Sequence, residues 1–503
     1  MKRNYIILLL CFVCKTSFAQ SDGQLDSMFG INGVCLSNFQ TGALNFSSME
    51  LDYQQNIIMA SVNKAIKFNN HGLRDTTFGN HGIFEFNFGF ENNICKSVLV
   101  QNNGRIILGG SSATTSPFGG GELQLSITRL HNNGIIDSTF VNNGKFEFNP
   151  FPDRCSGLTM ALQSDGKIIV AGGYYSTTLG SAIYAMRITS DGALDLSFGN
   201  NGIFMYVYPP NTTNVITCCA IQPDDKILLG VYTSLGSPSN FVFGLIRLTS
   251  IGSFDPDFAG NGFVKTDIPM QPIDVPNALK IQADGKILLG GKTKNNNLMA
   301  ICRYNTNGTL DSSFAEHGID TLNISLDDDI INDLIVLQDG KILLVGSTAS
   351  NACVIRLNSN GTIDHTFNSD GIITFGNSMG EYFIKAILMT PTKLLAGGMI
   401  KDGNQYFQLG VAAYDFNLFS GIEDAGGMQE AASIYPNPSR NSIQFKQAPV
   451  SFNMSVCDLT GKLLAQKQMQ ASESYDVSTL QEGLYFIKLQ TTEATQVIKF
   501  LKQ

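Results

Sequence analysis

At 503 residues the chain is long enough for two or three domains, and its net charge of −9 leaves no basic footprint for nucleic acid. Charged residues make up only 15%, with 50 glycines, 34 phenylalanines and no tryptophan. That composition suits short strands joined by tight turns and argues against disorder.

The first twenty residues read as a signal peptide. Lys2 and Arg3 give a charged end, residues 5–13 an apolar stretch, and Ser17-Phe18-Ala19 a small-residue cleavage site. A retained anchor needs about 20 apolar residues, and Lys15 interrupts this one early. Cys11 and Cys14 follow Leu10 and Val13 rather than the small residues that lipid attachment requires. Export is expected, with no membrane span in the mature chain.

Residues 21–420 are dominated by a recurring segment, clearest in Leu194-Asp195-Leu196-Ser197-Phe198-Gly199-Asn200-Asn201-Gly202. Its anchor phenylalanines are Phe29, Phe78, Phe140, Phe198, Phe258, Phe314 and Phe367, at gaps of 49 to 62 residues. A period this long with a fixed internal grammar means stacked or radially arranged supersecondary units.

Each unit reads as four strands: a short one after the anchor (203–206), a second (159–163), a third (167–171) and a fourth (182–188). Asp165-Gly166 joins the second and third, and predicts a two-residue hairpin with positive φ at both central positions. The turn returns at Asn103-Gly104, Asp284-Gly285 and Asp339-Gly340, and in altered form at Asp224-Asp225, Pro391-Thr392 and Gln55-Asn56. The third strands (106–108, 287–289, 342–344) are apolar on both faces, so neighbouring units must cover them. Paired glycines such as Gly109-Gly110 and Gly290-Gly291 end them and predict close backbone approach.

The predicted fold is all-β: a seven-bladed propeller of four-stranded blades, followed by a small Ig-like β-sandwich. Ring closure is legible too. The last fourth strand, 411–414, has no good anchor after it, while the chain begins with an orphan anchor at residues 25–30. Laying the N-terminal anchor on the last blade explains both.

With their LDxSFGxxG segment, DGKILVAG-like strand and RL-ending strand, residues 25–416 resemble the delta-60 repeat family of bacterial secreted proteins. The resemblance implies a β-propeller and no assigned chemistry. Residues 421–432 form a Gly/Ala/Glu linker, and 433–503 a module of short alternating strands. That module resembles the type A C-terminal sorting domain of the type IX secretion system in Bacteroidetes. The match rests on Tyr435-Pro436-Asn437-Pro438, on Gly461 and Lys462 within 458–462, and on Gly483-Leu484-Tyr485. It implies the type IX machinery and its sortase as partners, with the product secreted or attached to the outer surface.

Arginine and aspartate recur eight residues apart, as Arg129/Asp137, Arg187/Asp195, Arg247/Asp255, Arg303/Asp311 and Arg356/Asp364, with Lys67/Asp75 in the first unit. Constant spacing across a turn predicts an ion pair or Asx turn that pins each blade corner. The five histidines all lie in or beside turns and form no metal motif, and the eight cysteines left after signal removal read as small buried hydrophobes. The acidic run 327–329 with Asp333 lacks the spacing of a calcium loop and reads as a solvated loop. No metal or cofactor is expected.

Loops opposite the Asp-Gly turns vary widely, and binding residues concentrate on variable loops of rigid scaffolds. Phe118, Tyr174, Tyr175, Tyr206, Tyr208 and Tyr232 are the candidate exposed aromatics for a glycan or protein ligand. The alternatives are a polysaccharide-acting hydrolase or lyase, or a ligand-free structural surface protein. Glu91, Glu122, Asp153, Asp267, Asp274 and Glu381 are the acids an enzyme would use.

Overall fold

The computed structural model describes residues 22–416 and 433–502, apart from short segments at 39–45, 88–91, 114–122, 149–153, 177–179, 209–211, 213, 235–239, 269–272, 294–296, 326–327, 349–350, 377–379, 405, 438, 447, 458–462, 482 and 492–494. The expected signal peptide and the expected linker at 421–432 lie outside the described residues. The chain divides into two compact units, Met1–Phe416 and Asn417–Gln503.

Among the described residues the first unit holds seven antiparallel sheets. Sheet 1, for example, runs from its inner strand Phe46–Leu51 through Ile57–Ser61 and Lys64–Phe68 to the outer strand Ile83–Glu85. The other inner strands are Asn92–Val100, Arg154–Leu162, Asn214–Ile221, Asp274–Ile281, Ile330–Val336 and Tyr382–Thr390. Each contacts the inner strand of the next sheet, and the seventh contacts the first. Seven sheets thus circle one axis.

Closure follows the sequence expectation. Gln24–Leu25 and Val34–Leu36 both pair with Phe407–Asp415, the outermost strand that sheet 7 builds from its own segment. Leu25 lies opposite Tyr414, and Val34 opposite Ala412. One correction follows. The strand after each anchor does not open the next blade but completes the preceding one, as Ile203–Val207 does beside Gly180–Ile188.

Burial explains the apolar strands. Ile106, Ile107 and Leu108 are fully buried, but Ile106 and Leu108 pack toward sheet 1 while Ile107 packs toward sheet 3. Alternate side chains thus fill opposite interfaces, as a period of two requires. Glycine pairs answer a second feature. Every inner strand carries a register shift near its start, as between Cys95 and Ser97 or Ile331 and Asp333. Such a bulge pushes one carbonyl at the neighbouring strand. A Cβ at Gly110, Gly291, Gly346 or Gly398 would collide with the carbonyl oxygen of Ile94, Val275, Ile330 or Tyr382.

The Asp-Gly hairpins differ from the sequence expectation. Gln163 and Lys167 close a three-residue loop in which only Gly166 has positive φ, at 81°, while the Asp165 carboxylate accepts the Lys167 amide at 3.1 Å. This is a type I turn followed by a left-handed residue, the commonest three-residue hairpin loop. Gln55 and Asp225 take the left-handed position in sheets 1 and 4.

In the second unit, a three-stranded sheet (Ser433–Tyr435, Ser442–Lys446, Tyr475–Asp476) and a four-stranded sheet (Leu463–Gln470, Ser451–Cys457, Gly483–Gln490, Thr495–Lys502) share one core. Ile443, Met454, Val456, Ile487 and Phe500 fill it.

Candidate functional site

The two ends of the propeller are built differently. At the end carrying the hairpin turns, Asp137, Asp195, Asp255, Asp311 and Asp364 each make both of the contacts their spacing predicted. Asp195 Oδ1 accepts from the Ser197 amide and hydroxyl, and Oδ2 accepts from Arg187 Nε at 2.8 Å, with Lys167 Nζ at 3.4 Å. Arg187 also donates to the Ser250 carbonyl of the next sheet at 2.6 Å, and its guanidinium lies 5.0 Å from the Phe198 ring centre. Phe198 in turn packs under Gly252 of that next sheet. Arg129, Arg247 and Arg303 repeat this latch. In sheet 1 Lys67 substitutes, binding Asp52 at 2.9 Å and the Asn132 carbonyl. These charges are consumed in holding the corners.

The opposite end carries the variable loops, and the structure places the candidate aromatics unevenly. Tyr174 and Tyr208 are buried, 4% and 6% exposed, which corrects the expectation that they are exposed. Tyr174 sits in the middle strand Ile168–Ser176 and packs with Ala182 and Tyr184. Tyr208 packs edge-on against Tyr206 and near Phe263. Tyr206 and Tyr232 are half-buried, the latter edge-on to Phe241. Phe118 and the side chain of Tyr175 lie outside the described residues.

Asp274, Asp329 and Glu381, with Asn214, stand at or next to the start of successive inner strands. Asp329 accepts from the Ile324 and Ser325 amides and the Ser325 and Thr348 hydroxyls, and Glu381 accepts the Lys401 amide. They cap loops. Burial, helped by the charge of exposed Asp267, pushes the Asp274 carboxyl up to about 7. Glu91, Glu122 and Asp153 lie outside the described residues. The reading of the 327–329 run with Asp333 as a solvated loop is corrected: Asp329 and Asp333 are both buried. Four of the five histidines are exposed in turns, and His131 sits 3.7 Å from Asp137. Among the described residues no cluster of histidine, cysteine and acid side chains has metal-binding geometry. The described cysteines are unbridged, and Cys35, Cys95, Cys218, Cys302 and Cys353 are buried.

Sequence reasoning did not identify the residues that line the channel along the axis. The inner strands of all seven sheets line a cavity of about 620 Å³. Five acidic or basic side chains line it, Glu50, Lys96, Lys280, Asp333 and Lys385, beside the thiols of Cys218 and Cys219. Asp333 lies 3.2 Å from Lys385 and 3.8 Å from Lys280, and accepts the Leu334 and Ala386 amides. Burial works to raise its carboxyl, but the two ammonium groups and these amides outweigh burial and hold it below the usual range. Asp333 likewise raises Lys385. It pulls Lys280 the same way, but burial and the like charge of Lys385 prevail and Lys280 is lowered. Burial raises Glu50, whose carboxylate accepts only the Leu51 amide among the described hydrogen bonds.

In the second unit Tyr435 is partly exposed beneath Lys446, Pro436 and Asn437 are exposed, and Tyr485 is buried with its hydroxyl donating to the Gln481 carbonyl. Gly483 opens a strand. Pro438, Gly461, Lys462 and the Leu484 side chain lie outside the described residues.

Residues 101–140, 163–198, 222–258, 282–314 and 337–367 match a family described as a domain of unknown function (DUF5122) beta-propeller. Residues 433–503 match the secretion system C-terminal sorting domain. The chain is a repeat propeller with a type IX sorting tail. The tail directs export to the cell surface or beyond it, and among the described residues no helix is long and apolar enough to cross a membrane.

No curated protein matches the sequence. Among solved structures the chain is similar to PorZ, a surface component of the type IX secretion system of Porphyromonas gingivalis, at 12% identity and TM-score 0.42, covering 93% of this chain. The chain spans only 60% of that protein. A protein of unknown function from Dyadobacter fermentans DSM 18053 gives 11% identity and TM-score 0.42, with 77% of this chain and 100% of the other covered. The polysaccharide lyase Uly1 gives 11% and 0.43, covering 77% and 93%. Likeness at this level carries no activity over to this chain.

Proposed function

We propose that this exported propeller is a non-enzymatic binding protein that engages glycan or protein ligands through its variable loop end. The observation that carries the reading is the contrast between the two ends. Repeated latches occupy the turn end, while the sequences of the loops at the other end vary from repeat to repeat and follow half-buried Tyr206 and Tyr232. Rigid scaffolds with variable loops serve recognition. That Asp274, Asp329 and Glu381 hold loops supports binding over polysaccharide hydrolysis, which needs two carboxyl groups across a scissile bond.

The secreted protein should be screened on a glycan array, against outer-surface proteins, and for polysaccharide turnover. Binding that weakens on Tyr206→Ala or Tyr232→Ala, with no cleavage products, is the expected result. Cleavage products would end this reading in favour of the enzyme, and silence in all assays would favour a structural surface protein.

A further inference from the structure

We infer that the axial channel is a binding site for a small organic anion bearing a carboxylate or phosphate, recognised by Lys96, Lys280 and Lys385. This site is separate from the loop end and does not depend on the proposal made for it. Three ammonium groups and two carboxylates line the cavity, in a chain whose net charge is −9. One carboxylate, Asp333, is already committed to two lysines and two backbone amides. Lys96 is exposed, and among the described residues no carboxylate lies within ion-pair distance of it. A positive interior within an acidic protein concentrates anions, and low-dielectric walls strengthen the effect.

Size and lining point to an organic ligand. A cavity of about 620 Å³ falls within the usual range for small-molecule sites. Leu99, Leu158 and Ile281 offer apolar wall to a carbon framework, and Ser97 and Thr159 offer hydroxyls. Crowding of Lys280 against Lys385 is relieved by an anion between them, so binding favours the charged form of Lys280.

Glu50 makes the site sensitive to pH. It shares the channel with Lys280, Lys385 and Asp333, whose charges act on it, and with Lys96. Burial already favours its neutral form. Protonating Glu50 removes a negative charge from the channel. Affinity for an anion therefore rises as pH falls through the raised Glu50 pKa, and declines as pH climbs above it.

Titration calorimetry on the mature full-length protein tests this with glucuronate, glucose 6-phosphate and glucose. One or both acids should bind and glucose should not. Glucuronate alone identifies a carboxylate ligand, and glucose 6-phosphate alone a phosphate. Lys96→Met should weaken binding roughly tenfold, the loss of one charge-assisted contact. It disturbs no ion pair among the described residues, so folding is preserved. Lys280→Met, which leaves the Lys385–Asp333 pair intact, should do the same. Glu50→Gln should tighten binding at pH values above the raised Glu50 pKa and flatten the pH dependence. Failure of both acids to bind, equal binding of glucose, or affinity indifferent to both lysine substitutions would overturn the proposal.

Discussion

The regular corners of the propeller and its closing seam perform the same task with different chemistry. At four regular corners the arginine of one sheet reaches a backbone carbonyl of the next: Ser190, Ser250, Thr306 and Ser359 accept from Arg129, Arg187, Arg247 and Arg303. At the seam Arg356 reaches a carboxylate instead, Asp22 Oδ2 at 2.6 Å, while Gly23 packs on Phe367 where a turn glycine sits elsewhere. Sheet 7 has Ala413 where sheets 2 to 6 have arginine and sheet 1 has Lys67, and Lys393 of that sheet pairs with the anchor Asp26, at 2.5 Å. A regular corner joins segments about sixty residues apart. The seam joins ends more than three hundred residues apart, with a larger loop-closure entropy to offset. A buried ion pair at that point selects one partner segment, because any other leaves Arg356 and Asp364 without their third member.

The largest effect should come from removing the seam. A chain beginning at residue 38 loses Asp22, Phe29 and the strands paired to sheet 7 together. Thermal unfolding should lose its cooperative transition or fall in midpoint by tens of degrees. An unchanged melting curve would show that the first unit does not need the N-terminal segment.

Next comes the comparison of Arg356→Met with Arg187→Met in urea unfolding. Arg356→Met removes the guanidinium from two buried carboxylates, Asp22 and Asp364, although Lys341 still reaches Asp364 at 2.8 Å, and should cost about 3 kcal/mol. Arg187→Met removes it from one, Asp195, which keeps Lys167 and Ser197, so its cost should be smaller. Equal costs would mean the seam carries no special electrostatic role.

How much of this was legible depended on where the signal lay. Closure was readable because strand 411–414 lacked an anchor that residues 25–30 supplied. The Arg–Asp corner was readable from its constant spacing. Which blade owns strand 203–207 was not, since a short strand between two sheets has the same local pattern either way. The hairpin geometry was misjudged because Asp-Gly serves both two- and three-residue loops. The charged lining of the channel escaped for a better reason. Glu50, Lys280, Asp333 and Lys385 sit in four separate repeats, and a bulge in every inner strand shifts which residues face the axis. Alternation counted from the strand start therefore points to the wrong face. Tyr174 was misplaced for a related reason, because its strand continues past the apparent loop boundary to Ser176.

The smallest effect should appear with acid. The Ser197 hydroxyl first, then its amide and the charges of Arg187 and Lys167, lower the Asp195 carboxyl to about 2 against opposing burial. A depressed folded-state pKa contributes stability that is fully present above the unfolded value near 4 and is lost as pH falls through about 2. Ser197→Ala should raise that pKa, moving the acid transition to higher pH and costing about 1 kcal/mol at neutral pH. An acid transition that does not move would assign the stabilisation to the Ser197 amide, Arg187 and Lys167 rather than to the hydroxyl.

Ring closure is tested most directly by amide hydrogen exchange across residues 22–37. In the closed ring the Asp26 and Ser37 amides donate to the Ala413 and Leu409 carbonyls, both at 2.9 Å. Peptides spanning 22–37 should then be as protected as those spanning 407–415. Exchange at unprotected rates in 22–37 alongside a protected 407–415 would contradict closure by the N-terminal segment.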